Sequence, residues 1–74
     1  MHFEDFEEDI VAKAKSAHIP GMEWEDIAQE FRIAVWLAER RFNPALASQR
    51  TFAVRVMNNK LIDLARRAKV RGLT

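Results

Sequence analysis

One segment of the chain, residues 26–36, carries side chains suited to binding another protein. Asp26, Gln29 and Trp36 follow one another at helical spacing on one stripe, whereas Ile27 begins a separate apolar stripe. A carboxylate and an amide form ion pairs and hydrogen bonds, and a tryptophan that becomes desolvated contributes much of the binding energy of a protein interface. The alternative is that Trp36 covers the edge of the core while its polar neighbours are solvated.

The charges of the chain are divided between its two halves. Residues 1–30 hold nine acidic and two basic residues, and residues 31–74 hold two acidic and ten basic residues, although the formal net charge is only +1. Such a division favours two different partners, one of them a polyanion. The opposite charges could instead neutralise each other across the folded domain, and charge alone leaves both interpretations open.

No combination of residues suited to catalysis or to metal binding occurs in the sequence. Cysteine is absent, the two histidines, His2 and His18, have no partner at ligand spacing, and two glycines are too few for a phosphate-binding loop. The adjacent acids Glu7, Glu8 and Asp9 cannot converge on one ion while the chain is helical. We therefore expect a protein that is not an enzyme and that needs no cofactor and no metal.

Apolar periodicity of three and four residues predicts an all-α fold, a small three-helix bundle that forms a single domain over residues 1–74. Pro20 ends the first helical segment, Asn43 and Pro44 end the second, and Ser48 or Thr51 caps the third. The expected bounds are 1–17 for the first helix, 23–42 for the second, 43–50 for a loop and 51–69 for the third helix. The stripes expected in the core are Phe3, Phe6, Ile10, Val11 and Ala14; Ile27, Phe31, Ala34 and Ala38; and Ala53, Val56, Met57, Leu61 and Leu64.

The sequence contains no segment with the length and apolarity of a transmembrane helix, and no signal peptide opens it. We therefore expect a cytoplasmic protein with no membrane partner.

The second and third predicted helices carry an ordered set of residues at fixed separations. These residues are Asp26, Ile27, Gln29, Glu30, Ile33 and Trp36, then Phe42, Asn43 and Pro44, then Arg50, Thr51, Phe52, Arg55, Asn59, Asp63, Arg66 and Arg67. The set resembles region 2 of bacterial sigma factors, the promoter-recognition subunits of RNA polymerase, and is most similar to the extracytoplasmic-function group. The resemblance covers about residues 23–67. Arg32 departs from the family pattern, in which a large aromatic residue often occupies this position.

The resemblance implies a non-enzymatic transcription-initiation module that binds the core of RNA polymerase. In sigma factors the helix that corresponds to the second predicted helix of this chain docks onto the clamp helices of the β′ subunit. The residues that would form this contact here are Asp26, Gln29, Glu30, Arg32, Ile33 and Trp36.

The resemblance also implies that the third helix and the loop before it bind promoter DNA. In the family this region holds the melted non-template strand of the −10 element, with one base flipped out of the stack. Phe52 could instead belong to the core, and Asn59 could pair with Asp63 along the helix. The residues that would contact DNA are Arg50, Thr51, Phe52, Arg55, Asn58, Asn59, Ile62, Arg66 and Arg67, with Arg40, Arg41, Lys60, Lys69 and Arg71 as further phosphate contacts or a solvated set.

The length of the chain leaves several roles open. A complete sigma factor continues into a helix-turn-helix domain that reads the upstream promoter element, so we expect either an excised region 2 or a short, stand-alone relative. A stand-alone form would need a partner chain that supplies the missing domain, or it would be a decoy that occupies the clamp without reading promoters. An anti-sigma protein could be a further partner. A small helical homodimer that buries Ile33 and Trp36 is the remaining alternative.

Overall fold

Three helices form the structure, a computed structural model that describes residues 6–72. They are α1, Glu7–Ser16; α2, Trp24–Ala38, which continues into a 3-10 helix, Glu39–Arg41; and α3, Gln49–Gly72. Among the described residues there is no strand, and the predicted all-α, three-helix fold is confirmed. Phe3 of the first apolar stripe lies outside the described residues.

Side-chain caps set the starts of the second and third helices. The backbone N–H of Glu23 donates to Asp26 Oδ2 at 3.3 Å, and the Glu23 side chain caps the helix in return. At the start of α3, Ser48 Oγ accepts a hydrogen bond from the backbone N–H of Thr51 at 3.1 Å. Ser48 is therefore the cap of α3, which begins two residues earlier than the predicted residue 51. Arg50 consequently lies in the first turn of α3 and not in the loop.

The turn between α1 and α2 depends on a glycine. The backbone N–H of Met22 donates to the carbonyl of Ile19 at 3.1 Å, and Gly21 adopts a φ of 84°. Proline followed by glycine at the two central positions is the sequence that a type II turn favours, because the second position requires a positive φ. This turn reverses the chain and lets α2 pack beside α1.

The core is built along α2, which packs against both other helices. Phe31 and Val35 are fully buried, in one cluster with Phe6 just before α1, Ile10 and Ala14 of α1, and Met57 of α3. No polar or charged side chain is buried among the described residues. The buried set confirms most of the predicted stripes; Val11, Ala34, Val56 and Leu61 are half-buried at the edge of the core.

Each pair of helices in the described part of the chain is also joined by one ion pair. These contacts lie at the rim of the core, where the side chains stay in partial contact with water, so each contributes at most about 1 kcal/mol. They join the helices beside the apolar contacts of the core. The pairs are Glu7–Arg32 between α1 and α2, Asp9–Arg50 between α1 and α3, and Glu30–Lys60 between α2 and α3.

Candidate protein-binding and nucleic-acid-binding surfaces

The exposed side of α2, called here the α2 surface, combines polar residues with large apolar ones. Its residues are three or four positions apart, so they lie along one side of the helix. Trp36 is 57% exposed and Leu37 is 60% exposed. The structure thus places Trp36 on the outside of the domain, as the interpretation of this stripe as a protein-binding surface requires. The α2 surface consists of Asp26, Gln29, Ile33, Trp36 and Leu37, all of them exposed.

Leu37 was missed by the sequence analysis, although its position four residues after Ile33 could have identified it. Its side chain stands beside that of Trp36 at the C-terminal end of α2. With Glu39 and Arg40, these two residues line a cleft of about 310 Å³. The cleft thus has two apolar side chains and one charge of each sign in its lining.

Glu30 and Arg32 of the predicted polymerase contact form ion pairs inside the domain, and Asp26 and Gln29 each accept one hydrogen bond from within it. Glu30 is half-buried and lies 3.3 Å from the Lys60 ammonium group. Arg32 is also half-buried, and its Nε donates to both carboxylate oxygens of Glu7, at 3.1 and 3.0 Å. A partner that contacted either side chain directly would have to compete with these pairs.

The pair between Glu7 and Arg32 shifts the pKa of both of its members. Hydrogen bonding to the Arg32 guanidinium lowers the pKa of the Glu7 carboxyl, against the opposing effect of partial burial. The same hydrogen bonds raise the pKa of Arg32. Arg32 also donates weakly to Gln29 Oε1 at 3.4 Å. Arg32 therefore stabilises the α1–α2 contact and orients Gln29 at the α2 surface.

The exposed side of α3, called here the α3 surface, is cationic and amide-bearing. At about 100° per residue its members fall within roughly 100° of one another around the helix. All of them are exposed, and the described residues show no hydrogen bond between Asn59 and Asp63, which pairs with Lys60 and Arg67 instead. The two amides are thus open to an external partner. The α3 surface consists of Thr51, Arg55, Asn58, Asn59, Ile62 and Arg66.

Three of the predicted cations lie away from the α3 surface and hold internal partners. Arg50 is paired with Asp9 at 3.1 Å. Arg67 lies 2.9 Å from Asp63, and Lys60 is shared between Asp63 and α2. These side chains are less available to phosphate than the sequence analysis assumed. The side chain of Arg71 lies outside the described residues.

The loop between α2 and α3 is held by its own hydrogen bonds and presents a leucine. Asn43 Oδ1 accepts from the backbone N–H of Ala45 at 2.9 Å, and the Asn43 carbonyl accepts from the backbone N–H of Leu46 at 3.0 Å. Leu46 is 82% exposed, more than any other large apolar residue described. No periodic pattern marks a residue in a turn, so sequence reasoning did not single out Leu46.

Phe52 lies beneath this loop and is half-buried. Its ring meets that of Phe42 edge to face, with centroids 5.3 Å apart and an interplanar angle of 67°. Phe52 is therefore partly a packing residue, as one sequence interpretation held. The contact fixes the two ends of the loop relative to each other.

The fold and these surfaces define a small all-α domain with one apolar and one cationic side, and no strand or metal cluster among residues 6–72. The model of the Sigma-70 region 2 family matches residues 2–71 of the chain, so the chain belongs to this family. It carries a sigma-factor-type transcription-initiation module, and the family is not a catalytic one. Neither curated proteins nor solved structures gave a significant match. None of the described helices combines the length and apolarity that crossing a membrane requires.

Proposed function

We propose that the domain binds the core of RNA polymerase through the α2 surface and −10 promoter DNA through the α3 surface. The observation that carries the proposal is the exposure of Trp36 and Leu37 on α2, the helix whose residues resemble the docking helix of sigma factors. Both proposed partners are found in the cytoplasm, where we propose that the protein acts.

The α2 surface supports docking onto the clamp helices of the β′ subunit. Exposed aromatic and aliphatic side chains surrounded by polar groups are typical of the centre of a protein interface. Asp26 and Gln29 would form polar contacts at one end, and Ile33, Trp36 and Leu37 would be desolvated at the other. Glu30 and Arg32 support this surface from inside the domain, through their pairs with α3 and α1.

The α3 surface supports contacts with DNA of two kinds. Arg55 and Arg66 are exposed and neutralise phosphate, which provides affinity without sequence preference. Asn58 and Asn59 present amides that both donate and accept, as the reading of a base edge requires. The separation of the two kinds of residue along one side of α3 allows both contacts at once.

The loop between α2 and α3 supports contact with an unpaired strand. Leu46 stands at its tip, and an exposed aliphatic side chain on an internally bonded turn can insert against an unstacked base. Phe52, near the start of α3, is only half-buried, and a base stacked on an aromatic ring contributes roughly 1–3 kcal/mol. Thr51 follows at the start of α3.

Two binding experiments test the proposal. The tagged domain is first incubated with purified bacterial core polymerase; co-elution is expected, and its absence would remove the clamp-docking role. Fluorescence anisotropy then compares a single-stranded oligonucleotide carrying a −10 element with a scrambled strand, using the polymerase-bound domain. Preference for the −10 strand is expected. If both strands bind equally, only the binding of polymerase would remain of the proposal, as expected for a decoy.

A further inference from the structure

An exposed arginine at the start of α3 is occupied by an acid from α1. Nη2 of Arg50 donates to both carboxylate oxygens of Asp9 at 3.1 Å, and Nε donates to Oδ2 at 3.3 Å. The Arg50 side chain is 73% exposed, whereas that of Asp9 is 34% exposed. The pair is therefore open to solvent on the arginine side.

This geometry is that of an arginine bound to an oxyanion. A guanidinium donates two roughly parallel hydrogen bonds to a carboxylate and binds a phosphate group with the same donors. While Asp9 accepts these hydrogen bonds, its negative charge neutralises that of Arg50, so Arg50 attracts a second anion only weakly. An exposed ion pair of this kind is weak, so a nucleic-acid strand with many phosphates can displace the acid.

The position of the pair connects it with the nucleic-acid side of the domain. Arg50 lies in the first turn of α3, two residues after the Ser48 cap that ends the loop carrying Leu46. Arg50 lies about 140° around the helix from Arg55, on the side of α3 that faces α1. Release from Asp9 would let the long side chain turn toward the loop.

We infer that Asp9 is an internal competitor of phosphate for Arg50, so that α1 sets the affinity of the domain for nucleic acid. The inference rests on the proposed function, because it requires that the start of α3 contacts DNA. The inference gives α1 a role in DNA binding although the residues proposed to contact DNA lie on α3 and in the loop before it.

The test is a double-mutant cycle with a matched control. Asp9→Asn removes the competitor, and Glu8→Gln removes one negative charge from the neighbouring exposed position of α1, which has no ion pair among the described residues. Each is made with Arg50 present and in an Arg50→Gln background. The readout is the Kd for a fluorescein-labelled single strand carrying a −10 element at about 50 mM salt, with circular dichroism as the check of folding.

Binding by Asp9→Asn about three- to tenfold tighter than by Glu8→Gln is expected, because an arginine that gains a phosphate contact adds one counterion-release contribution. The gain should vanish in the Arg50→Gln background. Equal affinities of Asp9→Asn and Glu8→Gln, weaker binding by Asp9→Asn, or a gain that persists without Arg50 would overturn the inference alone. If no variant, including the wild type, binds the strand either alone or when bound to core polymerase, the proposed DNA contact fails as well.

Discussion

The α2 and α3 surfaces are built by the same helical periodicity but expose different chemistry. Both helices bury apolar residues at three-and-four spacing toward the same core. On its outer side α2 exposes Trp36 beside Leu37, whereas α3 exposes arginines and asparagines with Ile62 as an isolated apolar residue. An apolar surface binds by desolvation, and a cationic surface binds by releasing counterions. The two surfaces should therefore respond differently to salt and to mutation.

The largest expected difference is in salt dependence. If four phosphates are contacted, affinity for a single strand should fall roughly 50-fold between about 50 and 200 mM salt, because each neutralised phosphate releases counterions. Polymerase binding through the α2 surface should fall much less, since desolvation of apolar groups is insensitive to this range. Titration of both complexes by anisotropy measures the two slopes. Equal slopes would break the distinction between the surfaces.

Truncation of Trp36 should have the next largest effect. Trp36→Ala is expected to weaken polymerase binding by about 2 kcal/mol, or roughly 30-fold, as for an interface hot spot. Helix content should be preserved because more than half of the side chain is exposed. Val70→Ala removes an exposed apolar side chain from α3 and is the matched control, expected to leave polymerase affinity unchanged. Similar losses in both variants would show that the effect does not belong to the α2 surface.

Neutralising one exposed arginine of α3 should have a smaller effect. Arg55→Gln is expected to lower the slope of log Kd against log salt by somewhat less than 1, and to weaken the −10 and scrambled strands alike. The measurement is anisotropy at several salt concentrations. Asn59→Ala is the comparison, because it should reduce the preference between strands without changing the slope. A sequence-selective effect of Arg55→Gln would contradict its role as a phosphate contact.

The smallest effect should come from the pair between Glu7 and Arg32. Glu7→Gln is expected to lower the free energy of unfolding by about 0.5–1 kcal/mol at pH 7, because the pair is partly exposed. Since the pKa of Glu7 is lowered in the folded state, this contribution is fully present above the pKa of an unfolded glutamate, about 4.3. It is lost as the pH falls through the lower folded-state value. Urea unfolding of the wild type and Glu7→Gln is measured from pH 7 to acidic pH, with Glu8→Gln as control. The difference in free energy of unfolding between the wild type and Glu7→Gln should disappear at acidic pH.

The fold could be predicted from the sequence because its core follows a single periodicity. In each helix the apolar residues recur at three-and-four spacing, which defines one side of the helix. The burial predicted for Ile10 and Ala14 in α1, Phe31 in α2 and Met57 in α3 is confirmed. The sequence left open whether Trp36 faces outward or covers the edge of the core, and its exposure in the structure favours the first interpretation. Leu37 was overlooked although it lies four residues after Ile33, because only the polar residues, Ile33 itself and Trp36 were considered on that side of the helix.

The internal partners of the charged residues could not be predicted in this way. Glu7 and Arg32 are 25 positions apart, and Asp9 and Arg50 are 41 positions apart. Such contacts depend on how the helices are placed relative to one another, which local spacing does not encode. The sequence therefore indicated a division of charge but not which arginines are neutralised within the domain.

Chemical-shift mapping of the ¹⁵N-labelled domain tests the central claim most directly. A fragment containing the β′ clamp helices and a single strand carrying a −10 element are titrated separately. The clamp fragment should shift the backbone amides of residues 33–37, and the strand should shift those of residues 46–66, with little overlap. Shifts from both ligands on the same helix, or an unaffected residue range 33–37 in the presence of the clamp fragment, would contradict the assignment of two surfaces to two partners.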